Sequence, residues 1–290
     1  MKIRDQDWPA LSALLDAALA LPLEERDGWL DALPEPAQTH RVTLSKLLAD
    51  YVHVQTQDFL HTLPKLRTMD GEAKGKPVPA YLWEERGVVP IVKVDKGLAE
   101  EKDGVSLMKP MPDLDALLAR AAKLGVFGTK MRSVINQASK AGIAAIVRQQ
   151  FEIGEQIAKH GLVPILEPEV SIKSPDKAGA EAILLAGLTK GLESLPAGRK
   201  VMLKLTLPEV PDIYEPLIKD ERVVRVVALS GGYTRAEACK RLARNRGMIA
   251  SFSRALAQDL RRSMSDAEFD AALKSAIDEI YQASAVKVAA

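Results

Sequence analysis

Residues 200–208 read KVMLKLTLP, and they set Lys204 alone between Leu203 and Leu205 in a run too apolar for a solvated strand. Five other short runs, rich in β-branched residues, share its character: VVPIVKVD (88–95), GVFGTKMR (125–132), GLVPILEPE (161–169), RVVRVVALSGG (222–232) and MIASFS (248–253). Amphipathic helical patterns separate or follow them at 112–124, 141–160, 176–195, 212–220, 234–246, 254–263 and 265–285. Strands alternating with helices argue for a parallel sheet covered by helices, as an open sheet or a closed barrel. Six strands are visible, so an eightfold barrel would need two more.

Buried parallel strands should be almost wholly apolar, yet these carry charges near their ends. Lys93 and Asp95, Lys130 and Arg132, and Glu167 and Glu169 each lie two residues apart, hence on one face of a strand. A charge buried without a partner is very costly, so these groups must meet each other or a ligand. In barrels and open α/β sheets the C-terminal strand ends form the functional site. The spacing therefore predicts that Lys93, Asp95, Lys130, Arg132, Glu167, Glu169 and Lys204 converge on one cavity. Desolvation and neighbouring cations disfavour the ammonium form of a lysine between leucines, and a neutral amine is the nucleophile for imine formation with a carbonyl. A carboxylate beside it can shuttle the protons of carbinolamine dehydration. Lys204, Lys130 and Glu167 fit those roles, and a salt-bridge network without chemistry is the competing reading.

The last two strands end otherwise. Ser230-Gly231-Gly232 closes one, with a helix pattern starting near Thr234, and Ser253-Arg254 follows the other. Helix N-termini and glycine turns admit anions, and barrels of this kind place phosphate after their seventh and eighth strands. Ser230, Gly231, Ser253 and Arg254 are the candidate phosphate contacts.

Composition narrows the partners. Lys+Arg 40 against Asp+Glu 39 leaves a net charge of +1, so bulk charge selects neither nucleic acid nor an anionic membrane. No apolar stretch approaches the roughly 20 residues of a membrane helix. The single cysteine, Cys239, excludes an intrachain disulfide and suits a reducing, cytoplasmic compartment. Residues 1–66 read as helices only, through apolar steps such as Trp8, Leu11, Leu14, Leu15, Ala18 and Leu19, and a boundary falls before residues 67–290. His40, His53 and His61 lack the spacing that puts two ligands on one helix face, so no metal site is expected.

The segments GVVPIVKVDKGLAE, FGTKMRS, GLVPILEPEV, VMLKLTLP, VVRVVALSGGY and IASFSRALAQDLR together resemble the class I fructose-bisphosphate aldolases of the bacterial branch, in consistent order from about residue 68 to 283. The resemblance implies a (β/α)8 TIM-type barrel, here lacking its first two strands and preceded by a helical segment. It implies cleavage of fructose 1,6-bisphosphate to dihydroxyacetone phosphate and glyceraldehyde 3-phosphate without metal or cofactor. By motif, Lys204 matches the imine lysine, Glu167 the acid/base, Glu169 the carboxylate beside the imine, and Lys130 the assisting lysine. Lys93 and Arg132 match cations lining the cleft, while Ser230, Gly231 and Arg254 match the phosphate site, with Ser253 where relatives carry glycine. The partners implied are small phosphorylated sugars.

Two departures accompany the resemblance. The family's strand-one aspartate, in a segment like A-A-L-D-Q-S-G-G, has no counterpart in residues 1–67. That aspartate takes the C4 hydroxyl proton, so cleavage should be impaired, with Asp95 the alternative base. In its place, DWPALSALLDAALALPLEERDGWLDAL resembles the helical leader of some bacterial serine/threonine kinases, which suggests a fusion. A barrel short of two strands needs its open edges covered, by residues 1–66 or by a second copy in a homo-oligomer. The other readings are a non-catalytic sugar-phosphate-binding or interaction protein, and a Schiff-base lyase such as a transaldolase or deoxy-sugar aldolase.

Overall fold

Val201, Leu203 and Leu205 turn one face of their strand into the core, and Lys204 points from the other. The computed structural model describes residues 14, 17–18, 25–45, 48, 67–261 and 263–288. The chain divides into two compact units, Met1–Lys65 and Leu66–Ala290. In the first, helix α1 (Arg26–Asp31) and a 3-10 turn (Ala37–His40) accompany a small cluster of Ala18, Leu30, Leu33, Leu44 and Leu48. The expected helical stripe beyond Leu48, with His53 and His61, lies outside the described residues.

The second unit opens with helix α2 (Arg67–Asp70) and a hairpin of β1 (Glu72–Ala73) and β2 (Lys76–Pro77). The sequence reads as plain loop here. The Lys74-Gly75 pair instead takes positive φ at both positions (51° and 75°), the conformation that matches the twist of a two-residue hairpin. Helix α3 (Val78–Arg86) follows, with proline in its first turn, and stops at left-handed Gly87.

Six parallel strands then run in the order β3 (Ile91–Lys93), β5 (Gly128–Ile135), β6 (Val163–Val170), β7 (Val201–Thr206), β8 (Val223–Leu229) and β9 (Ile249–Ala250). Each starts inside one of the six runs read from the sequence, and β5 and β6 continue past theirs, to Ile135 and Val170. A short antiparallel strand, β4 (Val105–Ser106), pairs with the end of β5 beyond β3. The crossovers are helices α4 (Leu114–Lys123), α5 (Lys140–Lys159), α6 (Lys177–Glu193), α7 (Glu215–Lys219) and α8 (Arg235–Ala243). After β9 come α9 (Arg254–Ala257), shorter than its pattern suggests, and α10 (Asp266–Ala285), which a Ser265/Glu268 capping box starts. Leu184, Leu188 and Leu192 of α6 and Ile143, Ile146 and Ile157 of α5 are buried in one core with Met131, Leu166 and Leu203. Aliphatic side chains thus do the filling that the few aromatics cannot. The architecture is an α/β half-barrel: among the described residues, the strands do not close on themselves.

Gly128 shows how closely the sheet is built. A Cβ there would lie 2.2 Å from the carbonyl oxygen of Val163, its register partner across β5 and β6. Backbone faces backbone, so nothing flexible can give way. Gly128→Ala should lower unfolding free energy in urea by about 1–3 kcal/mol, the usual cost of overpacking.

Candidate active site

The parallel register decides which charges meet. Lys93 on β3 pairs in register with Lys130 on β5, and Arg132 on β5 pairs with Glu167 on β6. Ile165 and Leu166 pair with Met202 and Leu203, so Glu167 reaches the level of Lys204 on β7. Side chains alternate along each strand, which leaves the helix-facing core to Met131, Leu203 and Leu205 and gives the opposite face to the charges.

Glu167 is the hub. Its side chain is only 4% exposed, and its two oxygens go to different lysines: Oε1 lies 2.9 Å from Lys204 Nζ and Oε2 lies 2.8 Å from Lys130 Nζ. Lys204 is therefore paired rather than isolated among apolar neighbours. The carboxylate within 2.9 Å of its Nζ is placed to exchange a proton with it.

Beside this hub, Asp95 organises the β3 end. Lys93 Nζ lies 2.8 Å from its Oδ1, which also accepts from the Gly97 N–H at 3.2 Å, while Oδ2 accepts from the Arg132 N–H at 3.2 Å. Burial alone would push the Asp95 carboxyl up. The Lys93 hydrogen bond, the charges of Lys130 and Lys93, and the Gly97 N–H together outweigh burial and hold it below the ordinary aspartate range. Arg132 Nη1 donates to Glu169 Oε2 at 3.1 Å. The structure thus brings Lys93, Asp95, Lys130, Arg132, Glu167, Glu169 and Lys204 into three adjoining cation–carboxylate sets.

Ser230, Gly231 and Gly232 form a turn directly after β8. Ser230 is buried, and its carbonyl accepts from the Tyr233 N–H at 2.9 Å. Gly231 and Gly232 have φ of 64° and 110°, which L side chains rarely adopt. A Cβ on Gly232 would lie 4.0 Å from Arg254 Nη1, so exposed Arg254, at the start of α9, borders the turn. Ser253 precedes α9 without a side-chain cap bond. No group of three or more histidine, cysteine, aspartate or glutamate side chains placed for a metal ion occurs among the described residues. No described helix is long and apolar enough to cross a membrane.

A second ionic cluster, with no strand-end spacing to announce it, lies near the end of β7. Lys177 and Glu181 of α6 are spaced i,i+4 and read as a surface pair, but both are buried. Only the apolar residues around them, Ala180 and Leu184, hint at that.

Fold and site together define an α/β half-barrel with a lysine–carboxylate cluster at the ends of its strands. No model of a known protein family matches the chain, but individual relatives do. The class 1 fructose-bisphosphate aldolase of Synechocystis sp. is 58% identical over 217 residues, 75% of this chain and 72% of that protein. The enzyme of the same name from Porphyromonas gingivalis is 53% identical over 218 residues, 75% of this chain and 74% of that protein. Among solved structures, a fructose-bisphosphate aldolase from Plasmodium falciparum, in a ternary complex with TRAP and a small-molecule inhibitor, superposes with a TM-score of 0.57. It is 20% identical and covers 75% of this chain and 74% of its own, which speaks for the fold. The chain belongs to the class 1 fructose-bisphosphate aldolases. Neither curated relative supports the likeness of residues 1–66 to a kinase leader.

Asp95 makes the stability of the fold depend on pH. Its folded pKa lies below the unfolded value of about 3.9. Its stabilising contribution is therefore complete above that value and is lost as pH falls through the folded pKa. Urea unfolding followed from about pH 5 down to about pH 2 should lose stability more steeply in the wild type than in Asp95→Asn.

Proposed function

We propose that Lys204 forms a covalent imine with the ketone carbon of a phosphorylated sugar, with Glu167 moving the protons. The carrying observation is the single buried carboxylate between two ammonium groups, 2.9 Å from Lys204 and 2.8 Å from Lys130. Glu167 takes a proton from the Lys204 ammonium, and the freed amine adds to the carbonyl to give a carbinolamine. Glu167 then returns a proton to the departing hydroxyl, which leaves as water, and the C=N bond forms. Lys130 lies 2.8 Å from the other oxygen of Glu167 and keeps the carboxyl group oriented between Lys204 and the substrate through the two transfers. In this reading Glu169 stands beside the imine, tied to Arg132, and Lys93 and Arg132 line the sugar cleft. The Ser230–Gly231 turn, Ser253 and Arg254 receive the substrate phosphate. No metal or other cofactor takes part in these steps.

The substrate is a fructose bisphosphate, by the name the two curated relatives carry, taken as fructose 1,6-bisphosphate from the sequence resemblance, and the setting is cytoplasmic sugar metabolism. Carbon–carbon cleavage also requires a base for the C4 hydroxyl, and residues 1–67 hold no counterpart of the family's strand-one aspartate. Asp95 is a poor substitute, since its carboxylate is held well ionised by Lys93 and two backbone N–H groups. This chain therefore forms the imine readily and cleaves slowly.

Borohydride added with dihydroxyacetone phosphate should reduce the imine and label Lys204. Lys204→Met should take no label, and Glu167→Gln should label about 10²–10⁴-fold more slowly. Cleavage of fructose 1,6-bisphosphate should run about 10²–10⁴-fold below that of the Synechocystis relative, the usual worth of a general base. An unlabelled Lys204 would refute the imine, and turnover equal to the relative's would refute the impaired step alone.

A further inference from the structure

We infer that Glu209 is a positioning residue that fixes the phosphate-receiving turn Ser230–Gly232 through Tyr233. The inference rests on the reading of that turn as a phosphate site. Glu209 lies in the loop just beyond the β7 strand that carries Lys204, and Tyr233 directly follows Gly232.

Glu209 is gripped at both ends. Its backbone N–H donates to Glu181 Oε2 at 2.9 Å. Its Oε1 accepts from the Tyr233 hydroxyl at 3.1 Å and from Arg241 Nη1 at 3.1 Å, with Lys177 Nζ 3.4 Å away. The Arg241 guanidinium also lies over the Tyr233 ring, 4.4 Å from its centroid, and is itself tied to Glu237 at 2.6 Å. Tyr233 is thus clamped by hydroxyl and ring at once.

The anchor beneath is buried. Lys177 donates to Glu181 and, at 2.7 Å, to the carbonyl of Leu207, three residues after Lys204. Burial pushes the Glu181 carboxyl up, against the pull of the Glu209 N–H and the Lys177 ammonium. Placing such charges out of water rarely adds net stability, and its best-attested use is to fix one geometry. Here the geometry fixed is the turn. The Tyr233 N–H closes it on the Ser230 carbonyl at 2.9 Å, and a Cβ on Gly231 would lie only 2.7 Å from Ile172, against which the turn packs. One ionic cluster therefore connects the end of the Lys204 strand to the turn after the next strand. It acts on the placement of a phosphate and leaves the amine chemistry alone.

The full 290-residue chain suits a trapping test, with borohydride labelling of Lys204 measured against concentration for dihydroxyacetone phosphate and for unphosphorylated dihydroxyacetone. Tyr233→Phe deletes the hydroxyl and keeps the ring under Arg241. Glu209→Ala deletes the acceptor, and Glu209→Gln retains an acceptor oxygen. In Tyr233→Phe and Glu209→Ala the half-saturating concentration of dihydroxyacetone phosphate should rise about tenfold, the worth of a hydrogen bond to a charged group. Glu209→Gln should stay within about threefold of wild type, and labelling by dihydroxyacetone should be unchanged in all three. Unaltered phosphate dependence in Tyr233→Phe and Glu209→Ala would overturn the inference. Equal loss with both ketones would also overturn it, because the cluster would then only support the fold. A wild type that labels no better with the phosphorylated ketone would refute the phosphate site itself, and this inference with it.

Discussion

A carboxyl group that is almost wholly buried needs polar or charged partners in place of water, and Glu167 has one lysine at each oxygen. The rest of the site is arranged around this requirement. The two lysines stand on the strands flanking Glu167, β5 and β7, so hydrogen bonding between neighbouring strands brings the three groups together. A one-residue slip of either strand would turn its lysine into the helix-facing core and leave Glu167 short of a cation. The helices share in that precision, since the aliphatic faces of α5 and α6 fit only one face of the sheet. The geometry of this cluster and the stability of the fold depend on the same register.

The half-barrel raises a separate physical problem, because parallel sheets with open edges invite pairing with other chains. The edge strands here are short, three residues in β3 and two in β9. Short edges offer few unpaired N–H and C=O groups in line, which is one of the ways natural sheets limit edge-to-edge association. Strand β4 adds to this by occupying the stretch of β5 that extends past β3.

Much of this arrangement is legible in the sequence because its signals are local. The alternation of β-branched runs and amphipathic helices names the α/β class. The two-residue spacing of Lys93 with Asp95, Lys130 with Arg132 and Glu167 with Glu169 puts each pair on one face of a strand. The pairing of Lys204 with Glu167 is a matter of register between strands nearly forty residues apart, and no local pattern encodes it. The hairpin at 72–77 stayed hidden because glycine and proline read as loop, whereas the conformation turned on lysine and glycine both adopting positive φ. Lys177 and Glu181 escaped for the opposite reason. Their i,i+4 spacing belongs to exposed helix faces in most proteins, and only tertiary packing buries them here.

Asp95 shows how a charged residue at a strand end can serve the sheet itself. Once Lys93 ends β3, the chain turns away from β5, and the last backbone bond between them runs from the Val94 N–H to the Lys130 carbonyl at 3.0 Å. The Asp95 side chain then continues the pairing by accepting from the Arg132 N–H, as a carbonyl would in a longer strand. A carboxylate used in this way must stay ionised to keep its bonds, and the cations around it ensure that it does. Taking a substrate proton would weaken the Arg132 and Gly97 hydrogen bonds together, loosening the β3 edge at the moment of reaction. The same features that make Asp95 a good anchor for the sheet hold its carboxyl below the ordinary aspartate range.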